Sequence, residues 1–178
     1  VPVLRKIFTF TESENTTCQL PLIPTLKAGG YRVVVLSNQP FLGEYETETS
    51  KLLSLADHVR YFNIGHSGSK YSPANPDGVL LAPFTQNLAY QDDLFVILHL
   101  MGSHAAYSRR VPEAMPRFEG APPYSSLQQL NDARIQSIND YDTSIAYTDI
   151  VLADLINKLK QQKRPAALIY LSDHGEAL

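Results

Sequence analysis

The stretch LFVILHL, residues 94–100, is an apolar run of strand length interrupted by a single histidine, His99. A run of this kind, apolar without alternation, reads as a strand buried on both faces of a sheet. Upstream, YRVVVL (residues 31–36) has the same character, and downstream AALIYL (residues 166–171) repeats it. Between the last two runs lies the clearest helical pattern, with Ile135, Ile138, Ile145, Leu152, Ile156 and Leu159 at three-and-four spacing. Shorter helices are expected over residues 20–28, closed by Gly29 and Gly30 and kept short by Pro24, and over residues 47–57. A short strand is expected at residues 59–62. Strands alternating with helices imply an α/β fold, a mostly parallel sheet covered by helices on both faces. In that architecture ligands bind beyond the carboxyl ends of the strands, so the polar residues just after each apolar run are the candidates for chemistry.

Composition suits one globular domain and excludes several classes. The chain has 178 residues, 44% hydrophobic and 19% charged, enough to bury a sizeable core. Its formal net charge of −3 gives no electrostatic case for binding nucleic acid. Lys158, Lys160, Lys163 and Arg164 do cluster, but at the end of the long helix, where cations complement the helix dipole. No apolar stretch reaches the roughly 18 residues of a membrane span, and no signal peptide is visible. One cysteine, Cys18, leaves no internal disulfide and no cysteine-based zinc site. The sequence opens on Val1 and closes on Leu178 directly after a motif-like segment, so it is expected to be part of a longer protein.

Two groups of residues stand at the ends of apolar runs. The first is SDHGE, residues 172–176. Asp173 and His174 are oxygen and nitrogen donors suited to zinc or another divalent ion, and Glu176 is placed to orient the imidazole. Gly175 lets the chain turn sharply behind them. The alternative is a polar turn with Asp173 as a helix cap, and spacing alone does not separate the two. The second is HLMGSH, residues 99–104. Period two puts Phe95, Ile97 and His99 on one strand face, where a lone histidine is more often a hydrogen-bonded core residue than a ligand. His104, past a glycine in a loop, has no packing role, and the strand-end position of both histidines favours function.

Extending the apolar seam of the long helix gives positions 135, 138, 142, 145, 149, 152, 156 and 159, which include Asp142 and Asp149. A carboxylate on a core-facing stripe needs a partner, so both are expected to bond backbone groups of neighbouring loops. Residues 65–76 and 102–126 are expected to be long loops, and Ser37-Asn38-Gln39-Pro40 a polar loop near the site. His58 and His66 read as surface residues, and no pattern singles out a nucleophile among Thr9, Thr11, Thr16 and Thr17.

Taken together, HLMGSH (99–104), YDTSIAYTD (141–149) and YLSDHGE (170–176), with LSNQP after the YRVVVL run, resemble the sulfatase-like phosphoethanolamine transferases of Gram-negative bacteria, in the alkaline phosphatase superfamily. SDHGE alone is shared with sulfatases and phosphoglycerol transferases; the combination with HLMGSH points to phosphoethanolamine transfer. The resemblance implies that Asp173 and His174 bind a catalytic zinc. It implies that His104 lies where the transferred group or a second zinc is held, and that His99 and Ser103 line the same pocket. The family's nucleophile is a threonine followed after a few residues by a Val-Pro pair, which Val1-Pro2 resembles. Residues 1–178 would then be a partial catalytic domain lacking its nucleophile region and C-terminal end, inactive alone.

The implied reaction moves phosphoethanolamine from a phospholipid donor, through that threonine, to an envelope glycolipid or glycan. The implied setting is a periplasmic catalytic domain anchored in the inner membrane by a segment outside this sequence. Lipid-A-modifying members usually carry several disulfides, whereas Cys18 is the only cysteine here, which leaves other acceptors open. The alternatives are a sulfatase or phosphodiesterase on the same fold, a phosphoglycerol transferase, or a binding domain without catalysis.

Overall fold

Strand β1 (Arg32–Pro40) lies at the centre of a parallel sheet ordered β2 (His58–Asn63), β1, β3 (Leu94–His99). The computed structural model describes residues 2–9, 21–40, 48–63, 75–90, 92–123 and 130–176. Val34 pairs with His58 and Ser37 with Tyr61 on one side of β1, while Val33 pairs with Phe95 and Ser37 with His99 on the other. Every residue from Val33 to Asn38 is buried, because β1 is covered on both faces and flanked on both edges. That burial explains why its sequence is continuously apolar instead of alternating.

The two faces have separate cores. Val33 and Val35 meet Ile23 and Leu53, supplied by α2 (Leu22–Ala28) and α3 (Glu48–Leu53), with Phe8 of α1 (Pro2–Thr9) packed against them. On the other face Val34 and Leu36 meet Leu80, Phe84, Val151 and Leu155. Those residues come from the 3-10 turn Asp77–Leu80, α4 (Leu81–Asn87) and the long helix α5 (Asp132–Lys160). The expected α/β class with helices on both faces is therefore present. Pro24 sits in the first turn of α2, where its missing N–H costs nothing, and the helix is seven residues long. Asn131 caps α5 by accepting from the Arg134 amide at 2.9 Å, and Lys158 and Lys160 occupy its last turn.

Four sequence expectations differ from the structure. Residues Ser37 to Pro40 continue β1, since their neighbours in β2 and β3 run on beside them and pair with Ser37 and Pro40. Helix α3 stops at Leu53, and Asp57 instead reaches β1: its amide donates to the Val33 carbonyl at 2.9 Å and its carboxylate accepts from the Val33 amide at 2.8 Å. Residues 166–171 form no strand, and Ile169 is 83% exposed. An apolar run becomes a buried strand only when a neighbour pairs with it and a helix covers it, and among the described residues nothing does either here.

The stripe that α5 buries is also displaced from the expected seam. Ile138, Asn139, Thr143, Ser144, Thr148, Val151 and Leu155 are buried, while Ile145 is 46% and Ile156 39% exposed. Asp149 is consequently at the surface and Asp142 half-buried. The first half of the buried stripe is polar and its hydroxyls bond carbonyls of their own helix: Thr143 to Asn139 at 2.7 Å, Ser144 to Tyr141 at 2.6 Å and Thr148 to Ser144 at 3.1 Å. Hydropathy spacing cannot see a seam built from satisfied hydroxyls. His58 is exposed, as expected, and Thr9 is buried at the end of α1. His66, Thr11, Thr16, Thr17 and Cys18 lie outside the described residues, as does most of the expected loop 65–76.

Candidate functional site

The carboxyl ends of β1 and β3 are joined by side chains. Ser37 and His99 are paired in register, and the Ser37 hydroxyl lies 3.4 Å from His99 Nδ1. Gln39 Nε2 donates to the Leu100 carbonyl at 2.7 Å. Asn38 Nδ2 donates both to the Asn75 carbonyl and to Asp77 Oδ1, each at 2.7 Å. Asp77 then accepts from the amides of Met101 at 2.9 Å and Gly102 at 2.8 Å. Gly102 has φ of 55°, a left-handed conformation that glycine adopts without the strain of a Cβ.

Beyond this turn the loop exposes His104 and leaves Ser103 half-buried. Arg110 holds the later part of the loop, with Nε donating to the His104 carbonyl at 2.8 Å and Nη2 donating to the Ala105 carbonyl. The 3-10 turn Tyr107–Arg109 comes next, and the Tyr107 ring meets Tyr141 of α5 edge-on at 5.2 Å between centroids. Residues 117–120 are fastened to the same helix. Phe118 donates its amide to Thr143 Oγ1 at 3.0 Å, and Asn139 Nδ2 donates to the Gly120 carbonyl at 2.9 Å.

The segment 172–176 carries the metal-type donors. His174 Nδ1 lies 2.8 Å from the Gly175 carbonyl, and a carbonyl only accepts, so Nδ1 carries a proton and in the neutral ring Nε2 keeps its lone pair. That free nitrogen is 3.9 Å from Asp173 Oδ2. A ring N–H held by a backbone carbonyl is the usual arrangement behind a metal-bound histidine. Asp173 and His174 thus fit zinc as two of the four donors it usually takes. Among the described residues no third histidine, cysteine or carboxylate joins them to complete a metal site.

Charges link this segment to the rest. Burial pushes the His99 imidazole below its ordinary pKa, while the charges of Asp173 and Asp77 act in the opposite direction. His99 is therefore held toward the neutral form, within electrostatic reach of Asp173. The Gly175 carbonyl and then Asp173 raise the pKa of His174. Burial, then the charge of Glu176 and a hydrogen bond to it, raise the Tyr107 phenol. Glu176 thereby ties the 172–176 segment to the loop bearing His104, and the imidazole's own partner is the Gly175 carbonyl.

Of the residues selected by sequence, His99, Ser103 and His104 lie on one loop and strand end, and Asp173, His174 and Glu176 on a second segment facing it. Sequence reasoning missed Asp77, Arg110 and Tyr107. Asp77 stands just before the apolar run GVLLAPF and reads locally as a helix-start residue, whereas its partners are 24, 25 and 39 positions away. The one available signal was Arg110 within a loop already long enough to suspect.

A family model described as Sulfatase matches residues 9–178. Phosphoethanolamine transferase EptC of Escherichia coli (strain K12) is 30% identical over 184 residues, which cover 99% of this chain and 30% of EptC. Phosphoethanolamine transferase CptA of Salmonella typhimurium is 32% identical, with 99% of this chain and 30% of CptA covered. The chain thus spans about a third of the length of these curated relatives. The C-terminal periplasmic domain of Escherichia coli EptC, solved in complex with zinc, superposes with a TM-score of 0.78 at 28% identity, over 88% of this chain and 44% of that one. The soluble domain of lipooligosaccharide phosphoethanolamine transferase A from Neisseria meningitidis shares the fold, with a TM-score of 0.63 at 21% identity, over 89% of this chain and 47% of that one. With the model matching from Thr9 to the last residue, this chain belongs to the sulfatase family, and these relatives are phosphoethanolamine transferases.

Proposed function

We propose that the protein containing this chain transfers phosphoethanolamine from a phospholipid to an envelope glycolipid or glycan, as an inner-membrane protein with a periplasmic catalytic domain. The observation that carries the reading is His174 Nε2 at 3.9 Å from Asp173 Oδ2, on a segment tied through Glu176 to Tyr107 of the loop that bears His104. The names of the relatives and the zinc in the EptC domain support it.

Asp173 and His174 would hold the zinc, which when bound supplies a lowered pKa for a hydroxyl and positive charge for phosphoryl oxygens. The nucleophile in this reading is a threonine outside these 178 residues. Its oxygen bonds to phosphorus, the phosphorus–oxygen bond to diacylglycerol breaks, and diacylglycerol leaves with a proton. The acceptor oxygen then bonds to phosphorus, the phosphorus–oxygen bond to threonine breaks, and the acceptor's proton replaces the one the threonine hydroxyl lost. His104, exposed on its loop, donates to the phosphoryl oxygens as their charge develops. In this reading Ser103 and His99 line the same pocket. His99, kept toward neutrality by burial, accepts or donates one hydrogen bond without placing a second positive charge in the site.

Asp173→Ala and His174→Ala in the full-length protein, assayed with a phospholipid donor and an acceptor, should abolish transfer and lower bound zinc. Full transfer by either variant overturns the site. Release of free phosphoethanolamine at the same rate without acceptor would make the protein a hydrolase instead.

A further inference from the structure

Asp77 is 3% exposed, yet it is a carboxylate, at the start of the 3-10 turn Asp77–Leu80. A buried carboxylate is costly unless its oxygens are occupied, and here they are: Asn38 Nδ2 and the Met101 amide share Oδ1, and the Gly102 amide takes Oδ2. Two consecutive backbone amides turned to one side need an acceptor-only group, which a carboxylate is and a carboxamide is not. Arg110 does the converse on the other half of the loop, filling the carbonyls of His104 and Ala105. His104 Nδ1 lies 3.3 Å from that same Ala105 carbonyl, so the ring's orientation depends on the group Arg110 holds. The charge of Asp77 in turn favours the guanidinium that burial disfavours.

We propose that Asp77 and Arg110 are a pair of positioning residues that grip residues 101–105 at their two ends and so set the place and ring orientation of His104 for transfer. The inference rests on the phosphoethanolamine transferase reading for its kinetic consequence, and on hydrogen bonds alone for the grip itself. In this proposal both side chains act through the loop backbone and not on the transferring group itself. A residue acting only through His104 has nothing left to contribute once the imidazole is gone.

The test uses the full-length enzyme with Asp77→Asn, Arg110→Gln, His104→Ala and the two doubles that include His104→Ala. Each positioning variant should lower kcat about tenfold with the donor KM within about threefold, as expected when a transition-state contact is misplaced. Neither should slow the His104→Ala enzyme further. Hydrogen exchange should show faster exchange in the peptide spanning residues 100–105, with β1 and β3 peptides unchanged in the folded fraction. Losses that multiply with that of His104→Ala, or unchanged kcat in both variants, overturn the proposal. Unchanged exchange in the 100–105 peptide overturns it regardless of activity. Full transfer by His104→Ala would instead sink the assigned role of His104, leaving exchange to judge the grip. Should Asp77→Asn not fold, Arg110→Gln, at a half-buried position, decides the matter through the same kinetic and exchange measurements.

Discussion

The phenol oxygen of Tyr147 accepts the Gly78 amide at 3.0 Å, pinning the middle of α5 to the 3-10 turn that begins with Asp77. A Cβ added to Gly78 would stand 2.6 Å from that oxygen. Gly78→Ala should therefore destabilise the domain by about 1–3 kcal/mol, and Tyr147→Phe by about 1 kcal/mol for the lost acceptor. The alanine should cost less in a Tyr147→Phe background than alone, because the clashing atom is absent. Thermal unfolding of the four proteins closes the cycle, and simple additivity would show that the contact is not the cause.

Thr143 is the single point at which α5 both satisfies its own carbonyl and holds the Phe118 amide. Thr143→Val keeps the shape and removes the oxygen. It should cost about 1 kcal/mol in global stability and loosen residues 117–120 far more than the sheet. Limited proteolysis after Arg117 should quicken at a temperature where the rest of the domain stays intact. Equal protection in both proteins would place the loop's anchor elsewhere, with Asn139 and Gly120 as the remaining bond.

Asp57 gives a pH dependence remote from the site. The Lys27 ammonium at 2.8 Å, and then the Val33 amide, hold its carboxyl below the ordinary value of 3.8. A depressed carboxylate binds fewer protons folded than unfolded, so its contribution is present above that ordinary value and is lost as pH falls through the folded one. Asp57→Asn should lower the melting temperature near neutral pH, and the gap to the parent should close on acidification through the range below 3.8. A gap independent of pH would assign the effect to shape alone.

The parts of the fold legible in sequence were those governed by short-range pattern. Val33 to Leu36 announce a buried strand because covering both faces of a strand demands an apolar run, whereas the equally apolar Leu94 to Leu98 form the expected strand but stay half-buried. His99 and His104 could be picked out because β3 ends beside them, where polar residues in such sheets do chemistry. Asp173 and His174 were picked out because they follow an apolar run, which here forms no strand. What stayed hidden depends on contacts between distant residues. Asp77 acquires its meaning only when Asn38, Met101 and Gly102 arrive around it. The α5 stripe was misplaced because Thr143, Ser144 and Thr148 hide their polarity in helix carbonyls and pack as if apolar. Residues 166–171 carry the composition of a strand but, among the described residues, not the neighbour that makes one.

That last segment also decides how this stretch of polypeptide would behave alone. Leu168, Ile169, Tyr170 and Leu171 lie open, in a six-residue window with no charge, no proline and no glycine. Such a window readily templates cross-β stacking between molecules. A recombinant product confined to these residues would tend toward insoluble self-assembly, and a lysine at position 169 would act as a gatekeeper against it.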